Sequence, residues 1–183
     1  MKDILRKPWR IFSIAVLLAG AGWIWLSAAP PGGTTNGGIP APRMGFLAPD
    51  FSLQTLQGDA LGLPDLQGRP LIINVWASWC TPCKAEMPAL ERVYQRYRDQ
   101  GLVVLAVNAT NQDSVAAAST FVQDHGLTFP VLLDLDGSVT RLYQVSAFPS
   151  SFFVDRQGVI REVVIGGPMS EALLRIRAEQ LLE

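Results

Sequence analysis

A chain of 183 residues, 49% of them hydrophobic, holds one domain of ordinary size plus extensions and can bury a sizeable core, which excludes global disorder. A net charge of −1, with no basic aromatic-rich stretch, gives no hint of nucleic-acid binding. The charge is uneven, however: Lys2, Arg6, Lys7 and Arg10 crowd the N-terminus against Asp3 alone, and the rest of the chain carries 11 basic and 15 acidic residues.

In chain order, residues 1–10 read as a basic cytoplasmic segment. Residues 11–29 form a charge-free apolar run of 19 residues, long enough to span a bilayer as a helix. Basic residues precede it and none follows until Arg43, so the N-terminus is expected in the cytoplasm and the remainder outside, on the periplasmic side in a cell with two membranes. Trp23 and Trp25 fall near its outer end, where aromatic rings favour the interface. Ser27 and Ala29 would also suit a signal-peptide cleavage site, but Pro30 would follow that cut and the run exceeds a normal signal core, which favours a single-pass signal anchor. No cysteine follows the run where lipoprotein processing would need one. Residues 30–44 are a linker, since four prolines and four glycines among residues 30–43 cannot build a packed element.

The folded domain is expected over residues 45–183. Phe51 and Leu53 alternate as on a short strand before a turn at Gly58, and residues 70–76 are a continuous apolar run of buried-strand length. Cys83, Met87, Leu90, Tyr94 and Tyr97 recur at helical spacing and mark the inner face of a helix reaching about Asp99. The pattern then predicts strands over 102–108, 129–133, 151–155 and 159–165. Helices are expected over 114–125, 138–143 and from an N-cap at Ser170 to Leu182. This alternation specifies an α/β layer architecture.

The two cysteines of the chain, Cys80 and Cys83, are separated by two residues. A disulfide closing so short a loop stabilises little, so chemistry explains the pair better than stapling. Placed across a strand-to-helix switch, the first sulfur sits where unpaired N–H groups and the helix dipole favour a thiolate, and the second lies one turn further in. Pro82 suits the first helical turn, where its missing N–H costs nothing. Cys80 is therefore expected to be the nucleophile and Cys83 the resolving thiol, together forming the redox disulfide. Zinc is not expected: structural sites need four ligands, and the sequence offers no second cysteine pair and His125 as its single histidine.

The segment Asn74-Val75-Trp76-Ala77-Ser78-Trp79-Cys80-Thr81-Pro82-Cys83-Lys84-Ala85-Glu86-Met87-Pro88 resembles the active site of the TlpA/ResA-like branch of the thioredoxin superfamily. Ala48-Pro49-Asp50-Phe51 resembles that family's first strand, and Phe148-Pro149-Ser150-Ser151-Phe152-Phe153-Val154-Asp155 its cis-proline segment. The resemblance implies a thioredoxin fold: a central mixed β-sheet flanked by helices, with an N-terminal strand extension and a central helix–strand insertion over 109–130. It implies that Pro149 is cis, faces the sulfurs and, with Phe148 and Trp79, binds an extended client. Trp76 is expected to pack at the border of the site, and Lys84 to face solvent. Asn74 stands where thioredoxin has a buried aspartate that moves protons, so Glu86, one helical turn beyond Cys83, is implied as the proton acceptor while staying partly hydrated; otherwise it is an ordinary solvated helix carboxylate.

The function implied is membrane-tethered, extracytoplasmic thiol–disulfide exchange that reduces client proteins. A membrane donor of the CcdA/DsbD type would supply electrons, and no cofactor is expected. Cytochrome c maturation is one implied pathway, although the maturation thioredoxins carry a glutamate where Ser150 follows Pro149. A thiol peroxidase is an alternative, because the Ala48-Pro49-Asp50-Phe51 start is shared with peroxiredoxins. That chemistry needs a threonine or serine three residues before its cysteine and a proline seven before, and here those positions hold Ala77 and Ile73. A tethered chaperone or scaffold without catalysis would not need the cysteine pair.

Overall fold

The computed structural model describes residues 38–183 and, before them, residues 16–18, Gly20 and Trp23, all helical. The rest of the expected anchor, like residues 1–10, lies outside the described residues. Among the described residues no helix is long and apolar enough to cross a membrane. The chain divides into two units, Met1–Gly33 and Thr34–Glu183, and the second carries the α/β fold.

Its strands and helices, in order, are β1 (Ser52–Thr55), β2 (Ala60–Gly62), β3 (Leu71–Trp76), α1 (Thr81–Tyr97), β4 (Val103–Asn108) and α2 (Val115–Asp124). There follow β5 (Val131–Leu133), α3 (Ser138–Leu142), β6 (Ser150–Val154), β7 (Ile160–Ile165) and α4 (Glu171–Leu182). The seven strands form one mixed sheet in the order β2-β1-β5-β4-β3-β6-β7. β3, β4 and β5 are parallel, and the outer pairs on both sides are antiparallel. β3 and β4 are buried at every position, as strands covered on both faces must be.

The pleat divides these apolar runs between two cores. Ile72 and Trp76 face one side, where they meet Cys83, Met87, Leu90 and Val93 of α1, Phe121 of α2, and Leu174, Ala178 and Leu181 of α4. Leu71, Ile73 and Val75 face the other, against Phe51, Val139 of α3, Tyr143 and Phe152. There Tyr143 stands edge-on to both Phe51 and Phe152, and its hydroxyl donates to the Pro49 carbonyl at 2.8 Å.

Two differences from the sequence expectation have local causes. β2 went unanticipated because Ala60–Gly62 is too short to show a period; it exists because β1 offers it a ladder. Gly62 fits that ladder because a Cβ there would lie 2.4 Å from the Phe51 carbonyl oxygen. Second, part of the linker is tied to the domain. The Ala41 N–H donates to the Leu47 carbonyl, the Leu47 N–H to that of Ile39, and the Gly45 N–H to that of Ile160.

α3 is only five residues long, and a buried carboxylate holds its start. Asp134 accepts from the backbone N–H groups of Val139 (3.2 Å) and Thr140 (2.8 Å) and from the Thr140 hydroxyl (2.6 Å). Removing the acceptor strands these donors, each at a cost of about 1–3 kcal/mol. Asp134→Ala is therefore expected to destabilise the protein by roughly 3 kcal/mol in thermal or urea denaturation, without changing the intrinsic reactivity of the cysteine pair.

Candidate active site

β3 ends at Trp76, and a tight turn delivers the chain into α1. The Cys80 N–H donates back to the Ala77 carbonyl at 3.1 Å, and Cys80, with extended backbone angles (φ −73°, ψ 110°), is the N-cap of α1. Its Sγ accepts from the Cys83 N–H at 3.2 Å, one of the donors that a helix start leaves without an intrahelical partner. Cys80 and Cys83 are joined as a disulfide, with 5.2 Å between their Cα atoms. Cys80 is 4% exposed and Cys83 is fully enclosed, so a partner can approach the first sulfur and not the second.

Beneath the disulfide the pleat of β3 turns Asn74 to the same side as Ile72 and Trp76, towards α1. Helical spacing brings Glu86 round to meet it. The Asn74 Nδ2 donates to Glu86 Oε1 at 2.9 Å and to the Ser151 hydroxyl at 2.8 Å, and Ser151 is the residue paired with Asn74 across β3 and β6. The other Glu86 oxygen accepts from the Met169 N–H at 2.7 Å. Glu86 is 1% exposed, which corrects the expectation of a partly hydrated or solvated carboxylate. The sequence could not reveal this, because Met169 is far away along the chain. Burial pushes the Glu86 carboxyl above its ordinary range, against the opposing effect of the two hydrogen bonds. Asn74 Oδ1 is buried and has no protein partner.

Two cis peptide bonds frame this carboxylate from the far side. Phe148–Pro149, singled out by the resemblance, is one; Gly167–Pro168, which nothing in the sequence reading marked, is the other. The Gly166 N–H donates to the Pro149 carbonyl at 2.8 Å, drawing the two segments together. At Gly167 a Cβ would stand 2.9 Å from Pro149 Cγ and 3.0 Å from Glu86 Oε2, so only glycine fits without a shift. Ser150 is buried and donates its hydroxyl to the Ala147 carbonyl at 2.7 Å.

Above the disulfide lies an open cleft of about 510 Å³, lined by Trp79, Cys80, Pro82, Gln112, Val145 and Phe148 among others, with no charged side chain in its wall. The two tryptophans differ sharply. Trp76 is buried against Phe121, at 5.0 Å between ring centroids, whereas Trp79 is 54% exposed and stands edge-on to Phe148 at 5.8 Å. Gln112 and its neighbour Asp113 escaped the sequence reading, since they sit in the insertion, and only folding brings them to the cysteines. Lys84 is exposed. Among the described residues no cluster of histidine, cysteine or carboxylate side chains could hold a metal.

Comparison with known proteins agrees with this geometry. Residues 44–163 match the sequence profile of the AhpC/TSA family. The chain is 41% identical over 123 residues to the thioredoxin-like protein YneN of Bacillus subtilis, covering 67% of this chain and 71% of that protein. It is 35% identical over 131 residues to the thiol-disulfide oxidoreductase ResA of Bacillus thuringiensis, covering 72% and 75% respectively. Among solved structures, a putative thiol:disulfide interchange protein DsbE from Chlorobium tepidum superposes with a TM-score of 0.69 at 31% identity, over 75% of this chain and 96% of that one. The chain belongs to the AhpC/TSA family and, within it, is a thiol–disulfide oxidoreductase of the ResA-like kind with a thioredoxin fold.

Proposed function

We propose that the chain is a membrane-tethered, extracytoplasmic reductase of protein disulfides. The observation that carries the chemistry is the asymmetry of the two sulfurs: Cys80 caps α1 and accepts the Cys83 N–H at the rim of a cleft, while Cys83 is sealed beneath it. In the reduced protein the helix start favours the Cys80 thiolate. That thiolate attacks one sulfur of a client disulfide, forms the Cys80–client bond and expels the other client sulfur as a thiolate. Cys83 then gives up its proton, attacks Cys80 Sγ and releases the second client thiol. Two electrons have passed to the client, and the Cys80–Cys83 disulfide remains.

Glu86 is the acceptor for the Cys83 proton in this scheme. A carboxyl raised by burial is closer in affinity to a thiol than an ordinary one and exchanges a proton more readily. Pro149, Phe148 and Trp79 form the client surface. The membrane tether rests on the charge-free run over residues 11–29. A donor of the CcdA/DsbD type would restore the dithiol, and apocytochrome c is one implied client, though Ser150 in place of a glutamate favours a general reductase. Reduction rather than oxidation is supported by the absence of a charged side chain between the cysteines, where strong oxidants stabilise a thiolate.

The AhpC/TSA match keeps a peroxidase as the second reading. Ala77 and Ile73 are both buried and apolar, so neither supplies a hydroxyl or a proline ring at the peroxidatic positions. Reduced protein is expected to consume hydrogen peroxide no faster than a simple dithiol.

Equilibration with glutathione buffers is expected to give a potential more negative than about −200 mV, and a value near −120 mV would make the protein an oxidant. Cys83→Ser is expected to accumulate mixed disulfides with clients and Cys80→Ser is not; equal trapping by both would reverse the assignment of roles. Glu86→Gln should slow turnover roughly tenfold or more and flatten the pH–rate profile. Its stability effect has a definite sign. With a raised folded-state pKa, wild-type Glu86 stabilises most below the ordinary carboxylate pKa of about 4.3. That contribution fades as pH rises through the raised value, so wild type should lose stability relative to Glu86→Gln across that interval.

A further inference from the structure

An indole standing 54% in solvent has little packing to fix its direction, yet Trp79 is held. Its Nε1–H donates to the Gln112 carbonyl at 2.8 Å. That carbonyl is fixed in turn by the next residue. The Asp113 carboxylate accepts from the Ser78 N–H at 2.6 Å and the Ser78 hydroxyl at 2.7 Å, as well as from Asn108 Nδ2 and the Ser114 N–H, both at 2.9 Å. Asn108 is fully buried at the end of β4, and its Oδ1 accepts from the Thr110 hydroxyl at 2.9 Å, so the network is rooted in the sheet. The result is a crossed staple. The side chain of residue 113 grips the backbone of residue 78, and the backbone of residue 112 grips the side chain of residue 79.

Burial opposes the charge on Asp113, but the hydrogen bonds from Asn108, Ser78 and Ser114 outweigh it and leave the carboxyl below its ordinary range. The acceptor thus stays ionised across neutral pH, and an ionised acceptor makes the stronger hydrogen bonds. Among the described residues none of these groups hydrogen-bonds to a sulfur. What they fix is one wall of the cleft, facing Phe148 on the other side.

We propose that Asp113 is a positioning residue for client recognition: by clamping Ser78 and the Gln112 carbonyl, it sets the Trp79 indole as the wall against which an uncharged client segment beside the reacting disulfide is held. The proposal rests on the cleft being the docking site for clients. It assigns to the insertion after β4 a part in substrate choice, separate from the thiol chemistry itself.

The test measures the rate at which the reduced full chain is oxidised by two probes: oxidised glutathione, too small to need the wall, and a disulfide-bonded peptide with uncharged, apolar residues flanking its cysteine. The readout is the ratio of peptide to glutathione rate constants, which a general loss of reactivity does not move. Trp79→Ala should lower that ratio about tenfold, and Asp113→Ala by a similar factor. The double variant should be no worse than Trp79→Ala alone, because the two residues act as one unit. Ser78→Ala, which deletes one donor and keeps the backbone contact, should lower the ratio about threefold and decides the matter if Asp113→Ala does not fold. Multiplying losses in the double variant, equal slowing of both probes by Asp113→Ala, or an unchanged ratio in Ser78→Ala would each overturn the role of Asp113. An unchanged ratio in Trp79→Ala would instead overturn the cleft as the docking site.

Discussion

A carboxylate taken out of water needs donors to replace the solvent it has lost, and Glu86 finds two, on Asn74 of β3 and on the backbone of Met169. Those hydrogen bonds tie three separate parts of the chain together under the disulfide: the central strand, the helix that carries both cysteines, and the turn between β7 and α4. Ser151 joins from β6 through the same Asn74 amide. Burying a charged group is unfavourable unless its partners are already in place, so this arrangement disfavours any packing in which strand, helix and turn do not meet in this register. The close approach of Pro149, Gly167 and Glu86 belongs to that meeting. Pro149 lies two residues before Ser151 along the strand direction, and Gly167 presses close to both Pro149 and Glu86.

Above the disulfide the logic is different. The Trp79 wall of the cleft is held by contacts at the rim, an indole N–H on a carbonyl and a carboxylate on a serine, while Val145 and Phe148 in the opposite wall pack against the apolar cores. The site is thus built in two layers with different chemistry. The lower layer is buried, and burial dominates proton affinity there. The upper layer is open to solvent, and shape there is set by hydrogen bonds. Changes confined to one layer can alter proton transfer without altering recognition, or the reverse.

Most of the sheet and the cysteine pair were legible in the sequence because they depend on local periodicity. The runs over 70–76 and 102–108 could hardly be anything but strands buried on both faces, and the spacing of Cys83, Met87 and Leu90 marks the inner side of α1. What could not be read depends on contacts between distant residues. Helical spacing puts Glu86 one turn beyond Cys83 but does not say whether water reaches it; that depends on Met169 and on the sheet beneath. Tyr94, expected on the inner face, packs there at the edge of the core against Phe129 and is only half-buried, while Val93, outside the expected spacing, is buried fully. β2 has no pattern of its own, and the grip of Asp113 on Ser78 spans 35 positions, so neither leaves a local trace.

The register of β3 with β6 also has a consequence for the order in which the chain is made. Asn74 and Ser151 are 77 positions apart, and Glu86 and Met169 are 83 apart. Synthesis runs from the N-terminus, so the cysteines emerge well before the proline, the serine and the backbone donor that complete their surroundings. Until those arrive, the chain carries a dithiol able to exchange with whatever it meets, beside a carboxyl that is still hydrated. A chain cut short within its last third would therefore not simply be a weaker enzyme. Cut before Val145, it would keep Cys80, Cys83, Trp79, Glu86 and Asp113 but lose the opposite wall of the cleft and the Ser151 and Met169 partners that hold Asn74 and Glu86.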